Sequence, residues 1–138
     1  MRFADIKGLE RVKKSLVAAA NADKVAHAQL FMGKAGSPNL PMALAYANYL
    51  NCENRSEADA CGECSSCTKN NKFIHPDMHF VFPVSSTKKI TGKDVVSSKF
   101  LKEWREFLLT NPFGDLNNWS AHYGGEDKQV NISKEESR

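Results

Sequence analysis

Nowhere in this chain do apolar residues run together for the roughly 18 positions that a membrane span needs. The opening Met1-Arg2-Phe3-Ala4-Asp5 lacks the apolar stretch of a secretory signal as well. Both absences lead to the expectation of a cytoplasmic protein with no membrane partner. Charge of one sign is scarce: 19 Lys+Arg against 16 Asp+Glu leave a net charge of +3. That is too little to demand nucleic acid or a membrane surface as a partner, although it does not forbid DNA. Internal repeats and low-complexity blocks are absent. Cysteine is sparse too, with four in 138 residues, and all four fall between positions 52 and 67. In a reducing compartment such thiols are poor candidates for disulfides.

What is present suits one globular domain or a piece of a larger one: 41% of residues are apolar and 25% charged. After a lead-in from Phe3 to Gly8, Leu9, Val12, Leu16 and Ala19 or Ala20 recur at helical spacing, predicting an amphipathic helix to about Ala22. The run His27-Ala28-Gln29-Leu30-Phe31-Met32 reads as a buried strand of a parallel sheet. A Gly/Pro/Asn loop, Gly33 to Asn39, then feeds a second helix with Leu40, Ala43, Leu44, Ala47 and Leu50 as its stripe. Strand, glycine loop and helix together open a βαβ unit. Farther on, His79 to Val84 is a second strand candidate. Phe100, Leu101, Trp104, Phe107 and Leu108 mark a helix between about Val95 and Thr110, stopped by Asn111-Pro112. A short helix from Asn117 to Tyr123 follows. The stretch from Lys128 to Arg138 holds a strand-like patch and a charged tail.

The cysteines are spaced Cys52-x8-Cys61-x2-Cys64-x2-Cys67. Zinc takes four soft ligands at tetrahedral corners, with sulfur about 2.3 Å from the metal. A Cys-x2-Cys pair lets one tight turn aim two thiolates at one point, and Cys64 serves in two overlapping pairs. Cys52 supplies the fourth ligand from the preceding helix end, and Gly62 gives the knuckle a permissive backbone. Every cysteine is used, which predicts one closed structural site with no open position for catalysis. The alternatives are two disulfides or unrelated free thiols, and His75 and His79 are nearby competitors as ligands. Glu53, Glu57, Asp59 and Glu63 outnumber Arg55 and Lys69 around the cluster. Phosphates would be repelled, so the module reads as structural or protein-contacting.

A working phosphate loop reads G-x-x-x-x-G-K-[ST], with backbone amides cradling phosphates, lysine reaching the β/γ-phosphates and a hydroxyl on magnesium. Aligned on Gly33, this chain offers Gly33, Gly36, Ser37, Asn39 and Leu40 as the remnant. Pro38 replaces the second required glycine and removes an amide donor. Asn39 stands for the lysine and Leu40 for the hydroxyl. Lys34 comes too early to substitute, and Gly92-Lys93 has no strand before it. Losing such charge stabilisation raises the barrier to phosphoryl transfer by several kcal/mol. No functional ATP/Mg2+ site and no intrinsic catalysis are expected; taken alone, the loop also reads as an ordinary βα turn.

In sequence order come Phe3-Ala4-Asp5-Ile6-x-Gly8, His27-Ala28-x-Leu30-Phe31-x-Gly33, the phosphate-loop position, the four cysteines and His75-Pro76-Asp77. That order resembles the bacterial DNA polymerase III clamp-loader subunits, which are AAA+ proteins with a zinc module after the phosphate-loop helix. The match is good over about residues 1–84, and Pro38, Asn39 and Leu40 direct it to the delta-prime branch rather than to gamma/tau. The resemblance implies an α/β fold: a partial P-loop (AAA+-type) three-layer domain, with residues 1–138 as its N-terminal part and a zinc module at about 51–72. It implies a non-catalytic, stator-like subunit that helps load the sliding clamp onto primed DNA during replication. Its partners would be gamma/tau and delta-type subunits, and indirectly the clamp and DNA. No strand ending in Asp-Glu, sensor region or Ser-Arg-Cys finger motif follows, so the remainder of the domain is expected to be missing and its sheet to be incomplete. Two other functions compete, an ATP-binding gamma/tau-type subunit and an independent zinc knuckle that binds nucleic acid. His27, Trp104 and Phe107 are expected in packed structural roles, and Lys88, Lys89 and Lys93 in a solvated loop.

Overall fold

Apolar residues three and four apart can be buried only where a partner face exists, and this decides which of the expected elements form. The computed structural model describes residues 1–125 and 127–137; Arg138, the last residue of the expected charged tail, lies outside them. Among the described residues are α1 (Glu10–Asn21), α2 (Asn39–Asn51), α3 (Ser65–Asn71), α4 (Leu101–Thr110) and α5 (Leu116–Tyr123). Short 3-10 turns occupy Phe3–Asp5, Gly92–Asp94, Ser97–Phe100 and Lys134–Ser137. No helix among the described residues is long and apolar enough to cross a membrane. The chain divides into two compact units, Met1–Met78 and His79–Arg138.

In the first unit, Met42, Ala45, Tyr46 and Tyr49 line one face of α2 at positions i, i+3, i+4 and i+7. They pack with Val17 and Ala20 of α1 and with Phe3 and Ile6 of the lead-in turn. The Phe3 and Tyr49 ring centroids lie 5.8 Å apart. The inner face of α1 differs from the expected one. Lys13, Val17 and Ala20 are buried, whereas Leu9 and Val12 remain about half exposed, at 45% and 43%. Lys13 can occupy a buried position because its ammonium donates to the Ile6 carbonyl and, at 3.2 Å, to Glu10. Its methylene stem then covers apolar surface like any aliphatic chain. Leu9, Val12, Leu30, Met32 and Met42 line an apolar groove.

The expected sheet does not form among the described residues. Neither His27–Met32 nor His79–Val84 becomes a strand, and the β-pairing is limited to one antiparallel bridge between Val84 and Asn131. Its two N–H···O bonds measure 3.0 and 3.1 Å. A strand exists only through hydrogen bonds to a neighbour, and a continuous apolar run signals burial without supplying that neighbour. Leu30 and Met32 accordingly stand 80% exposed. The α/β layering expected of the chain is therefore replaced here by helices and irregular segments.

The second unit is held by aromatic rings. Phe82 stacks on Trp104 with centroids 4.4 Å apart, and Trp119 meets Trp104 edge-on at 4.9 Å. Phe107 closes on Trp119 at 5.6 Å. Rings in offset and edge-to-face contact gain beyond their area alone. Trp119 Nε1 donates to the Pro83 carbonyl at 2.8 Å, so its one polar atom is satisfied. Trp104 and Phe107 are core residues, as their spacing predicts. α5 starts one residue before the expected Asn117, and its cap is reciprocal: Asp115 accepts from Asn118 N–H while the Asn118 side chain accepts from Asp115 N–H.

Candidate metal centre

Helix α2 delivers Cys52 at its C-terminal cap. Cys64 is the N-cap of α3 and Cys67 lies in its first turn, so one short helix places two of the four sulfurs. That helix, Ser65–Asn71, was not expected from the sequence. Cys61 precedes Gly62, whose φ of +83° is the left-handed backbone that the knuckle demands. All four Sγ atoms lie within 4.8 Å of one another. Cys61 and Cys67 sulfurs are 3.8 Å apart, and those of Cys52 and Cys64 are 4.0 Å apart. A tetrahedral site with metal–sulfur bonds of about 2.3 Å requires sulfur–sulfur edges of about 3.8 Å, whereas a disulfide needs about 2.05 Å. The geometry fits a metal.

Backbone amides complete the surroundings. Cys61 N–H points at Cys52 Sγ (3.3 Å), Cys64 N–H at Cys61 Sγ (3.3 Å) and Cys67 N–H at Cys64 Sγ (3.4 Å). Such donors favour thiolate over thiol. The Cys67 amide, above all, brings the Cys64 thiol down to about 6. Burial pushes Cys52 and Cys67 the other way, above the ordinary thiol range. Zinc would lie between Cys52, Cys61, Cys64 and Cys67, supplying a cross-link and no reactive position.

The two competing histidines do not join the four sulfurs. His75 Nδ1 accepts from the Asp77 amide at 3.1 Å, which leaves Nε2 to carry the proton and donate to Ser66 Oγ at 2.7 Å. The same tautomer prevents His75 from activating Ser66 as a nucleophile. Ser66 N–H in turn donates to Glu53 at 3.1 Å, so Glu53 and His75 brace the start of α3. His79 is exposed and is not among the grouped ligand atoms, and His27 is exposed rather than packed as expected. Thr87 and Ile90 close the loop carrying Lys88 and Lys89 through a 2.9 Å backbone bond. Both lysines are exposed, as is Lys93.

At the other end of α2 lies the phosphate-loop position. Gly36 turns the loop with φ +84°, and Ser37 N–H is spent on the Lys34 carbonyl at 2.9 Å. The Ser37 side chain fills the space over Gly33: a Cβ built there would lie 2.4 Å from that of Ser37. Pro38 is the N-cap of α2. Asn39 donates its side-chain amide to the Phe31 carbonyl at 3.4 Å, and Leu40 is half-buried. A helix start binds anions through its unpaired N–H groups. Pro38 and Pro41 both occupy this first turn and neither has an N–H. Pro41 is a second loss, lying one residue beyond the phosphate-loop motif.

The family described as DNA polymerase III, delta subunit, matches residues 8–110, a span that includes α1, the phosphate-loop position, all four cysteines and α4. The chain belongs to this family. Among curated relatives, the DNA polymerase III subunit delta' of Bacillus subtilis is 33% identical over 92 residues, 67% of this chain and 28% of that protein. Subunit tau of the same organism is 36% identical over 66 residues, 48% of this chain and 12% of the relative. Subunit gamma/tau of Mycobacterium tuberculosis H37Rv is 38% identical over 65 residues, 47% and 11% respectively. The chain thus spans between 11% and 28% of the length of these relatives. No solved structure matches it.

Proposed function

We propose that this delta-family chain serves as a non-hydrolysing, delta-prime-type element of the DNA polymerase III clamp loader, with one structural zinc on Cys52, Cys61, Cys64 and Cys67. The observation that carries the reading is the first turn of α2. Asn39 and Leu40 stand where the phosphate lysine and the magnesium hydroxyl are needed. Pro38 and Pro41 also withdraw two of the N–H donors that a helix start offers an anion. Without those groups the γ-phosphoryl charge has nothing to meet as it transfers. The chain then contributes shape and contacts, with gamma/tau and delta-type subunits as partners and the sliding clamp and primed DNA reached through them.

A second reading is an ATP-binding gamma/tau-type subunit, favoured by the identity of 36% to 38% with relatives of those names over the matched stretch. Calorimetric titration of the purified protein with MgATP separates the two. The stator reading expects no saturable heat and no phosphate release; micromolar binding with turnover would establish the other. The zinc reading expects one metal per chain by elemental analysis, and a folded, metal-free protein would contradict it.

A further inference from the structure

The loop between Cys52 and Cys61 spans eight residues and is fastened at both ends by cysteines of the metal centre. Cys61 N–H also reaches Cys52 Sγ at 3.3 Å. Inside the loop, Ser56 N–H donates to the Asp59 carbonyl (2.9 Å) while Ser56 Oγ receives the Ala58 and Asp59 amides (3.2 and 3.0 Å). This turn fixes where the Asp59 carboxylate points. One of its oxygens accepts from Phe3 N–H at 3.0 Å and the other from Ala4 N–H at 2.9 Å. Those two amides open the 3-10 turn Phe3–Asp5 and have no earlier carbonyl to bond. A carboxylate more than fifty positions away in sequence therefore caps the lead-in turn. Two further contacts join the same parts: the Met1 ammonium donates to Asn71 Oδ1 at 3.4 Å, and the Arg2 side chain lies against Gly62.

The lead-in turn has little of its own to hold it. Its backbone bonds are Asp5 N–H to Arg2 O and Ile6 N–H to Phe3 O, both 3.1 Å. Yet it inserts Phe3 and Ile6, each 2% exposed, into the core between α1 and α2. We infer that the cysteine module is a metal-dependent clasp for the N-terminal segment: zinc closes the Cys52–Cys61 loop, the loop presents Asp59, and Asp59 holds Met1–Ile6 on the first unit. Removing the metal frees the loop ends, and the positioned carboxylate becomes one conformer among many. The inference rests on the zinc reading and goes beyond it, because it assigns the metal a target outside its own module.

Per-residue hydrogen exchange by NMR tests it, with zinc content measured on the same samples. In the zinc-loaded protein, Asp59→Ala is expected to speed exchange at Phe3 and Ala4 at least about tenfold, the size of a lost charge-assisted hydrogen bond. The variant should keep one zinc per chain, and the amides of Ala45 to Tyr49 in α2 should keep their rates. Stripping zinc from the wild-type chain with a chelator should accelerate the same two amides, which covers the case where the variant folds poorly. Unchanged exchange at Phe3 and Ala4 in a metal-stripped chain that was shown to bind zinc overturns the clasp and leaves the zinc reading intact. A chain that never holds zinc overturns both.

Discussion

Helix α2 ends in two different kinds of place. At its C-terminal end four sulfurs lie within 4.8 Å of one another, braced by backbone amides and by Glu53 and His75 through Ser66. At its N-terminal end the groups that a phosphate needs have been exchanged for Pro38, Asn39, Leu40 and Pro41. A ligand site on a helix end depends on which atoms face it: one end of α2 gathers four sulfurs, and the proposed reading leaves the other without the groups that hold a phosphate. Between the two ends runs the apolar face Met42, Ala45, Tyr46 and Tyr49, which packs into the core of the first unit.

The sharpest way to break the contrast is at Cys64, which is both N-cap of α3 and partner in both Cys-x2-Cys pairs. Cys64→Ser should lower zinc affinity at least about a hundredfold, since it removes a first-sphere ligand, where even outer-sphere losses reach that size. Competition with a chromophoric chelator measures it, and unchanged affinity would remove Cys64 from the ligand set.

Acidity sharpens the same end. Burial keeps Cys52 and Cys67 as thiols at neutral pH without metal, so zinc uptake at pH 7 should release at least two protons, one from each. Cys64, lowered to about 6, is already thiolate there and adds its proton to the balance only below that pH. Affinity should therefore rise with pH, and its slope should steepen by about one proton on the acid side of pH 6. Calorimetry in buffers of different ionisation enthalpy reads both quantities. A pH-independent affinity would contradict the thiolate centre.

A smaller effect belongs to Tyr49, whose hydroxyl donates to the Ser56 carbonyl at 2.8 Å and lies 3.1 Å from Asn21 Oδ1. Tyr49→Phe should destabilise the first unit by about 1–2 kcal/mol in chemical denaturation while retaining the metal. Smallest of all is Asn39→Lys at the other end. With Pro38 and Pro41 still lacking N–H groups, the added ammonium should produce no measurable MgATP hydrolysis. If the single substitution restored turnover, the amide argument would fail.

Local chemistry was legible in the sequence; what depends on distant partners was not. Cysteine spacing alone singled out the four residues whose sulfurs the fold brings within 4.8 Å of one another, because a Cys-x2-Cys turn is a short-range object. The helices α1, α2 and α4 followed from apolar spacing. α3 escaped because Ser65 to Asn71 carries no apolar stripe and owes its position to Cys64 and Cys67. The buried side of α1 was misplaced because Lys13 is a core residue only once the Ile6 carbonyl is there to receive its ammonium. Asp59 read as one more acidic side chain near the cluster, since nothing local announces that Phe3 and Ala4 are its partners. His27–Met32 looked like a strand because its apolar run is real; the pairing that would make it one is a property of a neighbour.

Native mass spectrometry of the purified chain, with zinc and MgATP both supplied, tests the contrast between the two ends of α2 in a single spectrum. The account predicts a mass shift of one zinc ion per chain and no nucleotide adduct. A chain carrying bound ATP, or one without metal whose mass has fallen by the hydrogens lost to paired sulfurs, would contradict it.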